Sequence, residues 1–445
     1  MGNDRNRHVL VIGAGPAGLF AARKLVEEGI GVTLLNRDIK PGGLAEYGIY
    51  YDKYKIKEGL RKQFRQILDL PAVDYIGNVT VGNSGDVSLE ELRGMGFDAI
   101  LVASGAQGTK KMNLPGEDLT GVYHAKDVVY HYNQLPPYST REFRVRGRVA
   151  VVGVGNVMMD IAHWAIRDLK VDEVIGVARR GPAEVKFTEK EMGYVIANLD
   201  QPALDEELAR CAPFMLDVGQ DVQAAKDFLL SALPRAEQVV SNTRLRFDFL
   251  ASPTRIIGNE EGEVIGLEVE DNKLVLRGTE TKAVGLGTRR VLDVNSVVFC
   301  IGDAVDKDFG LPVEWNEFVK SPNPSYAIDG ESYEAYDPEH NAPIEGVFIA
   351  GWSRQSSYGL VGLARKDGEN GVKAILEYLQ TRPETSGSAS PAEVLEQRLC
   401  KNGKPLVRKE DLLLLDAAEQ AQKQALGTAD FKFTTNEEML KVMGK

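Results

Sequence analysis

A chain of 445 residues, 43% apolar and 27% charged, has a globular composition and the length for two domains, each with its own core. No run approaches the roughly 18 apolar residues of a membrane span, and the polar start leads straight into a strand, so the expectation is a cytoplasmic protein without a secretory signal. A net charge of −12 disfavours non-specific nucleic-acid binding, and the spacing of Cys211, Cys300 and Cys400 excludes a CxxC dithiol, a disulfide framework and any sequence-local metal site.

The first predicted element is a strand, HVLVI (8–12), followed by GAGPAG (13–18), a helix through LFAARKLVEEG and a second strand ending at Asn36. Gly13 permits a tight turn, Gly15 lets backbone amides approach a pyrophosphate, and Gly18 lets the helix pack closely on its strand. The helix N-terminus then favours the phosphate charge, so this βαβ unit reads as a dinucleotide site. Where a carboxylate normally grips the ribose hydroxyls the chain has Asn36, a neutral acceptor. Asn36-Arg37 also has an alternative reading, as a contact to a 2′-phosphate.

A buried strand, FDAILVASGA (97–106), follows, and the βαβ pattern then recurs as RVAVV (148–152), GVGNVM (153–158), a helix through MDIAHWAIRDL and a strand EVIGVARR (173–180). Met158 occupies the third small position of this loop and should push its helix slightly off the strand. The next strand ends at Arg179-Arg180, two guanidinium groups at the position that faces the adenosine ribose, which favours NADP(H) over NAD(H). Two such openings imply an α/β protein with two doubly wound nucleotide-binding domains. The strands VNSVVFCIGD (294–303) and GVFIAGW (346–352) suggest that the second domain interrupts the first. PETSGSAS (383–390) reads as a loop and 409–426 as a helix.

Taken together, these residues resemble the adrenodoxin reductase family of ferredoxin–NADP reductases, in which an NADP domain is inserted into an FAD domain. The likeness runs nearly end to end, through GAGPAGL (13–19), PGGLAEYGI (41–49), LPGEDLTGV (114–122), GVGNVMMDIA (153–162), ARRGPAEVKFTEKE (178–191), GW (351–352) with YGLVG (358–362), and KFTTNEEML (432–440). It implies two Rossmann-like domains, an FAD domain over 1–107 and 311–445 with a C-terminal tail from 383, and an NADP domain over 108–310.

The resemblance also implies roles. Gly13, Gly15, Pro16, Ala17 and Gly18 would hold the FAD pyrophosphate and Asn36 with Arg37 its adenosine end. Gly42, Gly43 and Leu44 would run along the flavin side, with Gly105 and Gly351 beside the cofactor and Trp352, Gly359, Leu360 and Val361 at the isoalloxazine. Gly153, Gly155, Asn156 and Val157 would meet the NADP pyrophosphate, and Arg179, Arg180 and Glu191 the adenosine end. Asp160 would sit near the nicotinamide, and with Lys53 and Trp352 completes the expected catalytic set.

Three positions depart from the family: Asn36, the Asp52-Lys53-Tyr54 triplet where relatives have Asp-His-Pro, and SRQSSY (353–358) in place of a basic turn containing Gly-Pro. The implied reaction takes a hydride from NADPH to FAD and delivers single electrons to a ferredoxin- or flavodoxin-type protein. Two basic runs, Lys53, Lys55, Lys57, Arg61, Lys62, Arg65 and Arg141, Arg144, Arg146, Arg148, read either as docking surfaces for such an acceptor or as solvated faces. Two further readings share the glycine loops: an NADPH-oxidising subunit of a larger complex, like the glutamate synthase small subunit, and a nucleotide-sensing flavoprotein with weak turnover.

Overall fold

The computed structural model describes residues 7–357, 359–383 and 390–445. Tyr358, the first six residues and the interior of the expected 383–390 loop lie outside them. The chain divides into two compact units, one formed by residues up to Lys110, Tyr130–Thr140 and Gly302 onward, the other by Lys111–Val129 and Arg141–Ile301.

In the first unit HVLVI becomes β1 (His8–Ile12), with Val9, Leu10 and Val11 wholly buried. An apolar run without alternation is what a strand covered on both faces requires. Pro16 opens α1 (Pro16–Glu27), since its missing N–H would be unpaired there in any case. β2 (Gly31–Leu35) and then β3 (Val73–Ile76) pair in parallel on one side of β1, while β4 (Ala99–Val102) pairs in parallel on the other. Ala342–Ile349 extends the sheet beyond β4, and Glu334–Asp337 forms its antiparallel edge. The chain thus reverses its progress across the sheet between β1 and β4, the switch point at which doubly wound sheets open a ligand crevice past the carboxyl ends of the strands.

The second unit repeats the device. Arg148–Val152 pairs in parallel with Glu173–Val177, which pairs with Arg244–Asp248, while Ser296–Phe299 lies on the opposite side of Arg148–Val152. The switch point falls between Arg148–Val152 and Ser296–Phe299. One face of this sheet is covered by an antiparallel sheet of Ala251–Gly258, Val264–Arg277 and Glu280–Leu292, through a core that includes Val152, Val177, Leu267, Val269 and Phe299. The motif reading did not foresee that sheet. Its signal was present in turns at Gly262 (φ +75°) and Gly278 (φ +63°) flanking alternating apolar positions.

The expected 108–310 domain differs from the observed unit at residues 108–110, 302–310 and, the longest stretch, 130–140, all of which belong to the first unit. Tyr130 and Leu135 bury themselves against Tyr47, and Asn133 accepts from buried Lys57, so this stretch satisfies its apolar and polar groups there. The helix expected at 409–426 is present as Lys409–Leu426. No helix among the described residues is long and apolar enough to cross a membrane.

Candidate functional site

The two glycine loops have the same construction. After β1, Gly13 takes φ +110°, its N–H donates to the Leu35 carbonyl at 2.7 Å, and a Cβ there would lie 2.4 Å from the Ala103 carbonyl oxygen just past β4. After Arg148–Val152, Gly153 takes φ +122°, donates to the Val177 carbonyl at 2.9 Å, and a Cβ would lie 2.4 Å from the Cys300 carbonyl oxygen just past Ser296–Phe299. Each loop is therefore wedged into the switch point of its own sheet, a fit that only glycine permits.

Gly15 and Gly155 are the N-caps of the helices that follow, and a Cβ on either would meet no protein atom within 4 Å. Neither helix has an acidic residue in its first turn or a side chain hydrogen-bonded at its cap. The first amides of both helices thus face open space with no side-chain acceptor, which is the arrangement that receives a pyrophosphate. The crowding expected from Met158 is relieved by Gly176 on the adjacent strand, where a Cβ would come within 2.7 Å of the Met158 Cε.

Other expected residues gather at the first loop. The Gly42 N–H donates to the Ala14 carbonyl at 2.7 Å, and Gly43 lies against Gly15, so that a Cβ on Gly43 would lie 3.1 Å from the Gly15 Cα. Leu44 then opens α2 (Leu44–Tyr47). Gly351 starts the tight turn that carries Trp352, at φ +67°, and a Cβ on it would lie 2.8 Å from the Ala17 Cβ. Gly105 donates its N–H to the buried Ser353 hydroxyl at 2.8 Å, joining the end of β4 to that turn. Gly359 (φ +77°) and Leu360, which is 77% exposed, lead into the helix Val361–Gln380, again with no acid in its first turn.

Sequence reasoning passed over the residues that hold this turn. Buried Arg354 pairs with Asp367 at 2.6 Å and with Glu331 at 3.0 Å, and Asp367 also accepts the Gly351 N–H at 2.6 Å. Arg354 had stood out only as part of a departure from the family; its role depends on a carboxylate thirteen residues away, which no local motif reveals.

Asn36 does not face outward as a ribose ligand should. It is 7% exposed, its Oδ1 accepts from the Ala14 N–H at 3.1 Å, and its amide donates to the carbonyls of Asp38 at 2.8 Å and Lys40 at 3.1 Å. Both amide hydrogens are spent on bracing the loop, so the departure from a carboxylate is structural in effect. Arg37 is paired with Asp38 at 2.9 Å and donates to the Gln107 side chain at 2.8 Å.

Arg179 and Arg180 behave differently. Their carbonyls are anchored, by the Asn272 amide at 2.9 Å and the Leu250 N–H at 3.2 Å, yet among the described residues neither guanidinium has an ion-pair or hydrogen-bond partner. Thr188 caps the short helix bearing Glu191, and its N–H donates to Asn156 Oδ1 at 2.9 Å, which ties that helix to the glycine loop. Asp160 lies half-buried one turn into the helix that begins at Asn156, and Val157 is exposed. Lys53 is the half-buried N-cap of α3 (Tyr54–Leu68).

The family model for pyridine nucleotide-disulphide oxidoreductases matches residues 7–321. The chain belongs to this family. A relative named NADPH-ferredoxin reductase FprA, from Mycobacterium leprae, is 28% identical over 98% of both chains. The mitochondrial NADPH:adrenodoxin oxidoreductase of Arabidopsis thaliana is 26% identical, covering 90% of this chain and 88% of that one. Mycobacterium tuberculosis FprA, solved in complex with NADPH, superposes with a TM-score of 0.81 at 26% identity, covering 99% of this chain and all of that one.

In this member of the pyridine nucleotide-disulphide oxidoreductase family, several cations of the two basic runs are buried or paired with carboxylates, while Lys55 and Lys62 are exposed. Lys57 is wholly buried, Arg61 is clamped by Glu46 at 2.6 Å and Asp430 at 2.8 Å, and Arg65 pairs with Asp416. In the second run Arg141 faces Asp127 at 3.8 Å, Arg144 meets Glu142 at 2.9 Å, Arg146 meets Glu263 at 2.8 Å, and Arg148 meets Asp293. Counting cations along the sequence missed these carboxylates because most come from distant segments.

The buried cluster beside Gly42 and Gly43 includes an ill-matched lysine. Burial raises the Glu46 carboxyl, but the charges of Lys432, Lys40 and Arg61 outweigh burial and hold it well below the ordinary range. Burial and the neighbouring Lys432 charge push Lys57 down to about 7. Because the folded value lies below the unfolded one, Lys57 opposes folding fully below about pH 7 and progressively less as pH rises toward its unfolded value. Stability is therefore expected to rise by about 2 kcal/mol between about pH 7 and pH 9, and Lys57→Met to flatten that rise. Urea unfolding at the two pH values checks this, and an unchanged slope in the variant would refute it.

Proposed function

We propose that this chain is a cytoplasmic oxidoreductase that passes electrons from NADPH through a bound FAD to a one-electron acceptor protein of the ferredoxin type. The observation that carries the reading is the matched pair of glycine loops, each wedged at a switch point with open space over its second glycine, together with one uncommitted arginine pair at the second loop. The names of the relatives, an NADPH-ferredoxin reductase and an NADPH:adrenodoxin oxidoreductase, support the same donor and class of acceptor.

In this reading Gly13–Gly18 binds the FAD pyrophosphate at the α1 N-terminus, and Gly42, Gly43 and Leu44 flank the chain of the cofactor. The Gly351–Ser353 turn, held by Arg354 and Asp367, sets Trp352 against the flavin ring. The amides of Gly359, Leu360 and Val361, at a helix start without a competing acid, favour negative charge on the pyrimidine edge. Lys53 contributes a cation where relatives have histidine, so it attracts charge without relaying a proton through an imidazole. Gly153, Gly155, Asn156 and Val157 bind the NADP pyrophosphate, Arg179 and Arg180 the 2′-phosphate, Glu191 the adenosine end, and Asp160 the nicotinamide side. The flavin, when bound, converts a two-electron donor into one-electron output.

Anaerobic mixing of the purified protein with NADPH should bleach the flavin absorbance within seconds, and a ferredoxin should restore it. Protein that purifies colourless and takes up no FAD, or flavin that NADPH leaves unbleached, would overturn the reading.

A further inference from the structure

The segment between the arginine pair and Glu191 runs along the second glycine loop. The Lys186 N–H donates to the Val154 carbonyl at 2.7 Å, between Gly153 and Gly155, and two residues on the Thr188 N–H donates to Asn156 Oδ1 at 2.9 Å. Phe187, between them, is buried at 3% exposure, stacked against Phe228 and Phe247. In an extended stretch successive side chains alternate, so with Phe187 turned into the core, Lys186 and Thr188 share the outer face. Both are exposed, and among the described residues the Lys186 ammonium has no carboxylate partner.

We infer that Lys186 is a further binding residue of the proposed NADP(H) site, a cation for the dinucleotide pyrophosphate. The inference rests on the proposed function, since it needs a dinucleotide at this loop. The position decides which phosphate. Lys186 is tied to the loop itself, beside the amides of Gly155 and Asn156 at the helix start, whereas Arg179 and Arg180 stand at the end of Glu173–Val177. An ammonium is a compact charge suited to the diffuse negative charge of a pyrophosphate, whereas the planar arginines suit one terminal phosphate. Because the side chain is exposed and has no carboxylate partner among the described residues, its removal is expected to leave the fold untouched.

The test measures dissociation constants for NADP+ and for adenosine 2′-monophosphate, which carries the 2′-phosphate and no pyrophosphate, using the holoprotein. Lys186→Ala should weaken NADP+ about tenfold or more and leave adenosine 2′-monophosphate unchanged, with Lys186→Arg restoring most of the NADP+ affinity. Arg180→Ala should weaken both ligands. If Lys186→Ala weakens both equally, the lysine serves the 2′-phosphate and the inference falls; if it weakens neither while Arg180→Ala weakens both, the inference falls and the proposed function stands. If neither variant affects either ligand, the assignment of this loop to NADP(H) is itself wrong.

Discussion

Gly15→Ala is expected to fold like the parent protein and to bind FAD about thirtyfold more weakly, while Gly18→Ala is expected to be strongly destabilised. A Cβ on Gly15 meets no protein atom within 4 Å, and the backbone there is extended at φ −78°, a conformation alanine adopts freely. Among the described residues nothing resists the methyl group, but it would enter the space through which, on the proposed reading, a pyrophosphate would reach the first amides of α1. A Cβ on Gly18 would lie 1.9 Å from the Gly13 carbonyl oxygen and 3.1 Å from its carbon, with Val11 Cγ1 at 3.3 Å. Backbone cannot yield that far while Gly13 stays wedged at Ala103, so the cost is about 3 kcal/mol or more out of a total stability of roughly 5–15 kcal/mol. Flavin content and thermal midpoint, measured on both variants, separate the two effects. Parent affinity for FAD in Gly15→Ala would mean that the open space is not the phosphate site.

The same contrast explains what the sequence could reveal. Glycine spacing, the apolar runs and the arginine pair are local, and they placed both loops, the switch-point strands and the insertion. The Met158 departure was visible, but its compensation at Gly176 lies on the next strand, and only packing identifies it. Asn36 shows the opposite limit. Its position after β2 marked it as a ribose contact, yet the amide turns inward to brace Ala14, Asp38 and Lys40, because an amide, unlike a carboxylate, can donate to carbonyls as well as accept.

Charge was the least legible feature. A run of six cations from Lys53 to Arg65 reads as a surface until the C-terminal segment supplies Asp416, Glu419, Asp430 and Lys432 to the same cluster. One helical turn separates Lys53 from Lys57, but the second faces inward and meets Asn133 from the 130–140 stretch. Arg61 and Arg65 meet Asp430 and Asp416 from more than three hundred residues away, so composition alone cannot say which cations remain available to an acceptor.

For the arginine pair at 179–180 the expectation is an inverted cofactor preference. With both guanidiniums replaced by alanine, kcat/KM for NADPH should fall by about a hundredfold or more, at roughly 1.5–3 kcal/mol for each charge-assisted contact removed, while kcat/KM for NADH stays within a factor of about two. Arg180 is half-buried and should account for more of the loss than exposed Arg179, since desolvation strengthens a charge pair. The parent should also lose NADPH affinity as salt rises, and the double variant should show a flatter salt dependence because it lacks the two charges being screened. On the proposed reading every other feature of the second loop would treat the two nucleotides alike, since Gly153, Gly155 and the helix start would address only the shared pyrophosphate. Equal losses with NADPH and NADH would therefore show that the pair supports the loop and does not read the 2′-phosphate.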